Sequence, residues 1–292
     1  ANTKKKHIVL APTGIAAINA GGSTLHSFFK LPFHPLLPND SMYSVRNIRN
    51  TLKYNSEKIK IIREVELIII DEISMVRADI IDFIDKVLRV YCRNMREPFG
   101  GKQLLLVGDI YQLEPVVRED DRRLLNPFYR SSFFFDAKIF QQFQLVSIEL
   151  TKVYRQSDPV FISILDHIRT SQAQMKDLQL LNQRVGAQLD ESDSKLAITL
   201  STRRDTVDYI NENQLKLLPG EPTLFRGNIQ GEFPESSLPT PIELYLKTGA
   251  QVIFIKNDIE HQWVNGTLGT IIGFDDEDDA KIYVRTENGL DV

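Results

Sequence analysis

The chain has 292 residues, of which 42% are hydrophobic, and a formal net charge of −4 at pH 7. This length is sufficient for two α/β domains with apolar cores, while the negative charge excludes a protein that binds nucleic acid through overall basicity, so any nucleic-acid site must be a local groove. Apolar runs such as Leu67–Ile70 are far below the roughly 18 residues of a membrane-spanning helix, and we expect no membrane partner.

Cysteine usage and the N-terminal residues indicate the compartment. Cys92 is the only cysteine, which permits no internal disulfide and is typical of a reducing environment. The apolar stretch at residues 8–11 is too short for a signal peptide. We therefore expect a cytoplasmic protein, the default for a bacterial source. The missing initiator Met and the strand that begins at residue 7 favour a fragment of a longer protein.

In the first half of the chain, short apolar strands alternate with stretches of helical periodicity. The predicted elements are, in order, a strand at His7–Ala11, a helix at 15–20, a strand at Leu67–Ile70, a helix at 80–91, and strands at 103–107 and 146–150. This alternation predicts an α/β fold with a mostly parallel sheet. Residues 31–55 are rich in proline, asparagine and serine, which predicts an irregular insertion rather than an element of the core.

The second half repeats this organisation and then changes. Helices are predicted at 161–168 and 203–218, with a strand at 196–200 between them, and short strands at 251–255, 267–273 and 281–285 predict a small all-β element. We therefore divide the chain into two domains, residues 1–146 and residues 147–292, with the β-rich element at about 241–292.

Two acids follow the apolar strand Leu67–Ile70, at the strand end where open parallel sheets place their ligands. In this position Asp71 is suited to hold a Mg²⁺ ion that bridges ATP phosphates, and Glu72 to orient and deprotonate the attacking water. The alternative is that both acids only favour the N-terminus of the following helix. For these residues alone, the two interpretations are equally supported.

Two further polar residues are candidates for contact with the γ-phosphate. Gln112 follows the strand at 103–107 and Gly108, and it could sense the phosphate or position water; alternatively it is a surface residue beyond a turn. Arg155 stands between the two α/β blocks, where its guanidinium could neutralise charge as the phosphate leaves. Its alternative is an exposed arginine near a helix start.

Candidate nucleic-acid contacts occur in both blocks. The first set supplies backbone N–H groups, hydroxyls and rings suited to phosphates and bases, namely Thr13, Gly14, Thr24, His26 and Phe28. The second set is Thr202 and Arg203, which precede a predicted helix. For the first set, the alternative is that Phe28 belongs to the core and that His26 is a buried histidine that ties down the loop. For Thr202 and Arg203, the alternative is a capped helix start with solvated arginines.

Taken in this order, the segments resemble superfamily one DNA helicases of the Pif (petite integration frequency) and RecD-like group. Residues 11–28 (APTGIAAINAGGSTLHSF) resemble motif Ia of that family, and residues 71–75 (DEISM) resemble motif II. Residues 99–116 are similar to motif III, with Glu114 where a second proline is common, and residues 150–156 (LTKVYRQ) are similar to motif IV.

The resemblance implies a fold, a substrate and a direction. It implies two RecA-like P-loop NTPase-type domains that clamp Mg²⁺-ATP between them and move along single-stranded DNA, usually 5′ to 3′, up to duplex junctions. Residues 31–62 then correspond to a small wedge insertion, and the β-rich tail leads into an SH3-like insertion. The family default is a monomer, with no protein partner indicated.

The chain departs from the family pattern in one serious respect. The sequence contains no GxxxxGK[ST], the loop whose backbone N–H groups and lysine hold the phosphates, and the late family motifs are also absent. We therefore predict that this polypeptide by itself hydrolyses ATP poorly or not at all. A rival hypothesis is a degenerate, non-catalytic module for DNA binding or protein interaction. A P-loop kinase does not require two α/β blocks with Arg155 between them.

Overall fold

A computed structural model describes residues 4–154, 156–188, 197–229, 240–256, 258, 260, 262–263, 266–275 and 281–292; for Ile15 and Ile18 it describes the backbone alone. The chain forms two compact units, Ala1–Val185 and Gly186–Val292. No helix within the described ranges is both long enough and apolar enough to cross a membrane.

The first unit contains a parallel sheet. Its strands are β1 (His7–Ala11), β2 (Ser23–Thr24), β3 (Leu67–Ile70) and β4 (Gln103–Leu106), in the spatial order β2-β1-β3-β4. Leu10 is paired with Ile70, and Ile70 with Leu106, so the carboxyl ends of the three longer strands lie side by side. The predicted α/β class and the parallel arrangement are therefore confirmed. This edge of the sheet carries the candidate site.

The helices of this unit are α1 (Gly14–Asn19), α2 (Leu25–Phe29), α3 (Ile48–Leu52), α4 (Ser56–Glu64), α5 (Ala78–Cys92), α6 (Glu119–Leu125), α7 (Pro159–Arg169) and α8 (Met175–Asn182). Short 3₁₀ turns lie at Ile73–Met75, Pro98–Gly101, Phe134–Asp136 and Lys138–Gln141. Helix α5 is the central packing element, because Ile81, Ile84 and Leu88 on its apolar face are almost completely buried.

A glycine is required where the chain enters β2. A Cβ atom on Gly22 would lie 2.1 Å from the carbonyl oxygen of Val9 in β1, which no side chain tolerates without a shift of the backbone. The glycine therefore permits the close approach that pairs β2 with β1 and places the following residues at the carboxyl edge of the sheet.

The composition of the insertion suggested that it lies outside the core, but the structure shows the opposite. Six of its apolar residues are buried in the main core, namely Leu31, Leu36, Tyr43, Ile48, Leu52 and Tyr54. The ring of Tyr43 meets that of Phe83 in α5 edge to face, with centroids 5.2 Å apart. The prediction failed because these apolar residues are spaced irregularly, so no period marks them as buried.

Two predicted strands are absent. Residues 146–150, and the described part of the other segment, residues 197–200, have no regular secondary structure. Val146, Ile148 and Leu150 are 90%, 81% and 86% exposed. β-Branched composition predicts a strand only if a neighbouring strand supplies hydrogen-bond partners, which a sequence window does not reveal.

The second unit contains helix α9 (Arg204–Leu217), a hairpin-like pair β5 (Thr223–Arg226) and β6 (Glu243–Leu246), and an antiparallel sheet of β7 (Gln251–Ile253), β8 (Leu268–Phe274) and β9 (Ile282–Thr286). Leu246, Ala250, Ile271 and Val284 form its core. The predicted short strands are confirmed. The SH3-like identity of this element, and the domain boundary at residue 146, stay predictions.

Candidate functional site

Three chain segments meet at the carboxyl edge of the parallel sheet. The residues that follow β3 are held to both neighbouring strands: Asp71 N donates to Leu10 O at 2.9 Å, and Ile73 N donates to Val107 O at 3.0 Å. A Cβ atom on Gly108 would lie 2.9 Å from Ile73 N, so the segment after β4 is in direct backbone contact with the segment after β3. The fold thus brings two of the predicted motifs together.

The carboxylates of Asp71 and Glu72 are half-buried at this edge. Asp71 Oδ1 accepts a hydrogen bond from the backbone N–H of Glu72 at 3.0 Å. No hydrogen bond or ion pair within the described ranges uses Asp71 Oδ2 or the Glu72 carboxylate, and the Glu72 side chain does not cap the turn that follows. The capping interpretation is therefore not supported for Glu72. Both acids retain oxygens available to a ligand.

Glu72 has a left-handed backbone, with φ 49° and ψ 44°. A residue with a Cβ adopts this conformation at a cost of about 1 kcal/mol or more, and such residues are concentrated at functional sites. At Glu72, this conformation turns the chain sharply between β3 and the 3₁₀ turn Ile73–Met75. The turn places the two successive carboxylates at the strand end.

The donor set fits a magnesium ion that is held largely by its nucleotide. Mg²⁺ in such sites takes one or two carboxylates from the protein and its other oxygens from phosphate and water. The part of the chain that the structure describes holds no group of three or more metal-ligating side chains. Asp71 and Glu72 both offer such a carboxylate, and the assignment of the ion to Asp71 stays a prediction.

Gln112 lies on an exposed turn after β4. Its Nε2 donates to Asp109 Oδ2 at 3.2 Å, and its backbone N–H donates to Asp109 O at 3.1 Å. Asp109 also pairs with Arg169 in α7, with 3.1 Å between Oδ1 and Nη2, and that guanidinium lies 5.1 Å from the ring centroid of Tyr111. Gln112 is thereby tethered at the same edge as Asp71, although its phosphate contact stays a prediction.

The Asp109–Arg169 pair was not among the residues predicted for the site. Sixty residues separate the two, and no motif spacing connects them, so only the fold reveals the contact. Arg155, predicted to neutralise the γ-phosphate, lies outside the described residues.

The hydroxyls expected to contact DNA serve as helix caps. Thr13 Oγ1 accepts from Ala16 N at 3.2 Å, and Thr24 Oγ1 accepts from Ser27 N at 3.1 Å. Each hydroxyl uses a lone pair in the cap and keeps its proton for donation to a phosphate oxygen. Gly14, at the start of α1, is exposed. The caps were not predicted, and they do not remove these residues from the set of candidate contacts.

The two rings of this segment behave differently from each other. Phe28 is buried, and Lys58 Nζ lies 3.4 Å from its ring centroid, so the expectation that it stacks on a base is wrong. His26 is half-buried and stacks on Phe33, with centroids 5.2 Å apart and 10° between the ring planes. Phe33 itself was missed, because the surrounding residues 31–38 (LPFHPLLP) give no signal that separates an exposed ring from a buried one.

A buried ion pair joins this segment to α5. Asp79 is 1% exposed and accepts hydrogen bonds from Arg77 Nε at 2.8 Å, from Arg77 Nη2 at 2.7 Å and from Leu36 N in the insertion at 2.9 Å. Arg77 and Asp79 also lie close enough to His26 to influence it electrostatically. Through Leu36, the pair therefore holds the insertion against the helix that follows Asp71 and Glu72.

Burial, and secondarily the charge of Arg77, lower the pKa of His26, while Asp79 opposes this effect. The unfolded chain then binds a proton at higher pH than the folded chain, so His26 adds stability above about pH 6.5 that is lost as the pH falls through its folded pKa. We expect the difference in unfolding free energy between wild type and His26→Gln to shift in favour of wild type as pH rises from 5.0 to 7.0. Urea denaturation at several pH values measures this; a difference independent of pH contradicts it.

The candidates in the second unit are exposed. Thr202 and Arg203 precede α9, and Arg203 Nε donates to Asp205 Oδ1 at 3.1 Å. Both residues are exposed to solvent, as the alternative interpretation expected, but no side chain caps α9. A DNA contact by either residue stays a prediction.

Comparison with known proteins identifies a family. The model of the family described as PIF1-like helicase matches residues 1–179. An ATP-dependent DNA helicase PIF1 from Emericella nidulans is 33% identical to this chain over 293 residues, which cover 96% of the chain and 36% of that protein. The chain thus spans about a third of that relative's length.

Solved structures give the same result. A Pif1 helicase from Bacteroides in complex with ADP-AlF3 and single-stranded DNA matches with a TM-score of 0.74 and 38% identity, covering 100% of this chain and 65% of that one. A structure described as showing DNA unwinding at forked double-stranded DNA by two coordinating Pif1 helicases matches with a TM-score of 0.72 and 39% identity, covering 100% of this chain and 66% of that one. The predicted RecA-like fold class is therefore confirmed.

Proposed function

Because the chain belongs to the PIF1-like helicase family, we propose that the whole protein is an ATP-dependent DNA helicase. It binds single-stranded DNA, moves along it in the 5′ to 3′ direction and opens duplex at junctions. The direction comes from the resemblance of the motifs. The DNA substrates are supported by related structures that hold single-stranded and forked DNA.

The observation that carries this proposal is the position of Asp71 and Glu72. Two successive half-buried carboxylates with available oxygens stand at the carboxyl end of β3, beside the segment that follows β4. Open parallel sheets bind ligands at this edge.

Each residue has a separate proposed task. Asp71 holds the magnesium ion, and Glu72 orients the attacking water and accepts its proton. Gln112 senses the terminal phosphate, and Arg155 neutralises charge on it. When bound, Mg²⁺ supplies charge neutralisation between the β- and γ-phosphates. Thr13, Gly14, Thr24, His26, Thr202 and Arg203 are the proposed DNA contacts.

The 292-residue polypeptide is proposed to be a poor ATPase by itself. Its sequence contains no GxxxxGK[ST], and backbone N–H groups of that loop supply most of a phosphate-binding cradle. The same observation favours the second candidate function, a non-catalytic DNA-binding or interaction module. We further propose a cytoplasmic monomer, in keeping with a single cysteine.

ATP hydrolysis with and without oligo(dT) tests the proposal on the 292-residue chain and on the whole protein that its gene encodes. We expect turnover that requires oligo(dT) in the whole protein, and none above background in the 292-residue chain. DNA-stimulated turnover by the 292-residue chain contradicts the second expectation. If the whole protein neither hydrolyses ATP nor binds single-stranded DNA, the interaction module replaces the helicase as the proposed function.

A further inference from the structure

Phe33 presents one face of its ring to solvent. The side chain is 76% exposed in the loop that follows α2, and its other face is covered by His26 at a centroid distance of 5.2 Å. Single exposed apolar side chains are common on protein surfaces and by themselves indicate nothing. A ring held parallel to a second ring is different, because its orientation is fixed while the outer face stays open.

The backbone that precedes Phe33 is anchored in the core. Phe29 and Leu31 are buried in the core, and Leu31 N donates to His26 O at 3.0 Å. His26 is in turn half-buried near the Arg77–Asp79 pair. A flat ligand that binds the outer face therefore meets a preorganised platform and loses less entropy in ordering it.

The net charge of the insertion that contains Phe33 has the opposite sign to that of the whole chain. The insertion at residues 31–62 has five Lys or Arg and two Asp or Glu, a net charge of +3, whereas the whole chain has −4. Lys30, immediately before it, is exposed as well. A local positive field of this kind attracts a polyanion, and an exposed aromatic face within it suits the bases of that polyanion.

We propose that the outer face of Phe33 stacks on a nucleobase of single-stranded DNA, so that His26, Phe33 and the base form a continuous stack. This inference rests on the proposed binding of single-stranded DNA and names the residue that contacts a base. Stacking is available to every base and requires an unpaired one, so the contact is independent of sequence and selects single strands over duplex.

Fluorescence anisotropy with the 292-residue chain separates base stacking from phosphate attraction. The probes are oligo(dT) and an abasic oligonucleotide of the same length, which keeps the phosphates. We expect Phe33→Ala to weaken binding of oligo(dT) about tenfold, since one base–aromatic stack contributes about 1 to 3 kcal/mol. Binding of the abasic probe is expected to stay unchanged. Met42→Ala, which removes another exposed apolar side chain of the insertion, is the matched control and changes neither affinity.

A second variant excludes misfolding as the cause. Phe33→Trp keeps an aromatic face, and we expect it to bind oligo(dT) as tightly as wild type. Wild type has a single tryptophan, Trp263, so the variant gains a second tryptophan signal. We expect oligo(dT) to quench this added fluorescence and the abasic probe to leave it unchanged. If wild type binds oligo(dT) and Phe33→Ala binds it equally well, the stacking inference is wrong and DNA binding stands. If wild type binds neither probe, both the inference and the proposed DNA binding of this chain are wrong.

Discussion

Replacement of Asp79 by alanine is expected to lower the free energy of unfolding by about 3 to 5 kcal/mol, the usual cost of removing one member of a buried ion pair. Asp79 is 1% exposed, and its carboxylate accepts from two nitrogens of Arg77 and from Leu36 N. The variant leaves the Arg77 guanidinium and a backbone N–H in the interior without their acceptor. Both groups then lose hydrogen bonds that water cannot easily replace.

Urea denaturation followed by circular dichroism measures this loss. The matched control is Glu119→Ala, which removes an exposed partner of Arg123, with 3.7 Å between Oε1 and Nε and more than two thirds of each side chain exposed. Exposed pairs contribute about 0 to 1 kcal/mol, so the control midpoint is expected to remain nearly unchanged. A loss below about 1 kcal/mol for Asp79→Ala shows that the pair does not hold the insertion to α5.

The same variant links stability to DNA binding. Asp79 fixes Leu36 in the insertion, and together with Arg77 it lies near His26, so its removal frees the segment that carries the proposed stacking ring. Under conditions in which Asp79→Ala is still folded, we expect weaker binding of oligo(dT) than in Glu119→Ala. Asp79→Asn, which keeps an acceptor oxygen for Leu36 N, is expected to lie between the two.

The local sequence pattern was sufficient to predict the helix and the strands that bury an apolar face. The strand limits His7–Ala11 and Leu67–Ile70 follow from short apolar runs, and the helix around residues 80–91 follows from its apolar period. The structure has all three within two residues at each end. Asp71 and Glu72 were found for the same reason, because acids at the end of a wholly apolar strand interrupt the pattern. Periodicity therefore predicts the scaffold and the chemistry placed at its strand ends.

Long-range contacts were not predictable from one sequence. The Asp109–Arg169 and Asp79–Leu36 contacts join residues that no motif relates. They form only because the fold brings α7 to the segment after β4, and the insertion to α5. Phe28 and Phe33 show the same limit on a smaller scale. Both are phenylalanines in one short segment, and only packing shows that the first is buried under Lys58 while the second is exposed.

Conversion of Glu72 to glutamine is expected to reduce oligo(dT)-stimulated ATP turnover of the whole protein by about 100-fold or more, the usual contribution of a general base. Glutamine has the shape of glutamate but does not accept a proton at neutral pH. It also has a Cβ and therefore meets the same cost in the left-handed backbone of this position. The expected change is accordingly in catalysis and not in folding, and thermal unfolding of the variant should match that of wild type.

Two further measurements separate a catalytic effect of Glu72→Gln from a structural one. Glu114→Gln, an exposed acid of the segment that follows β4, is the matched control and is expected to keep turnover within about twofold, because its carboxylate has no place in the proposed chemistry. Affinity for oligo(dT) is expected to be equal in both variants, since the proposed DNA contacts do not include Glu72. If Glu72→Gln retains wild-type turnover, a group other than Glu72 accepts the proton of the attacking water. The Glu72 carboxylate then has a structural role and not a catalytic one. If turnover and DNA affinity fall together, the Glu72 carboxylate also supports the DNA-binding segments, and its role in catalysis is indirect.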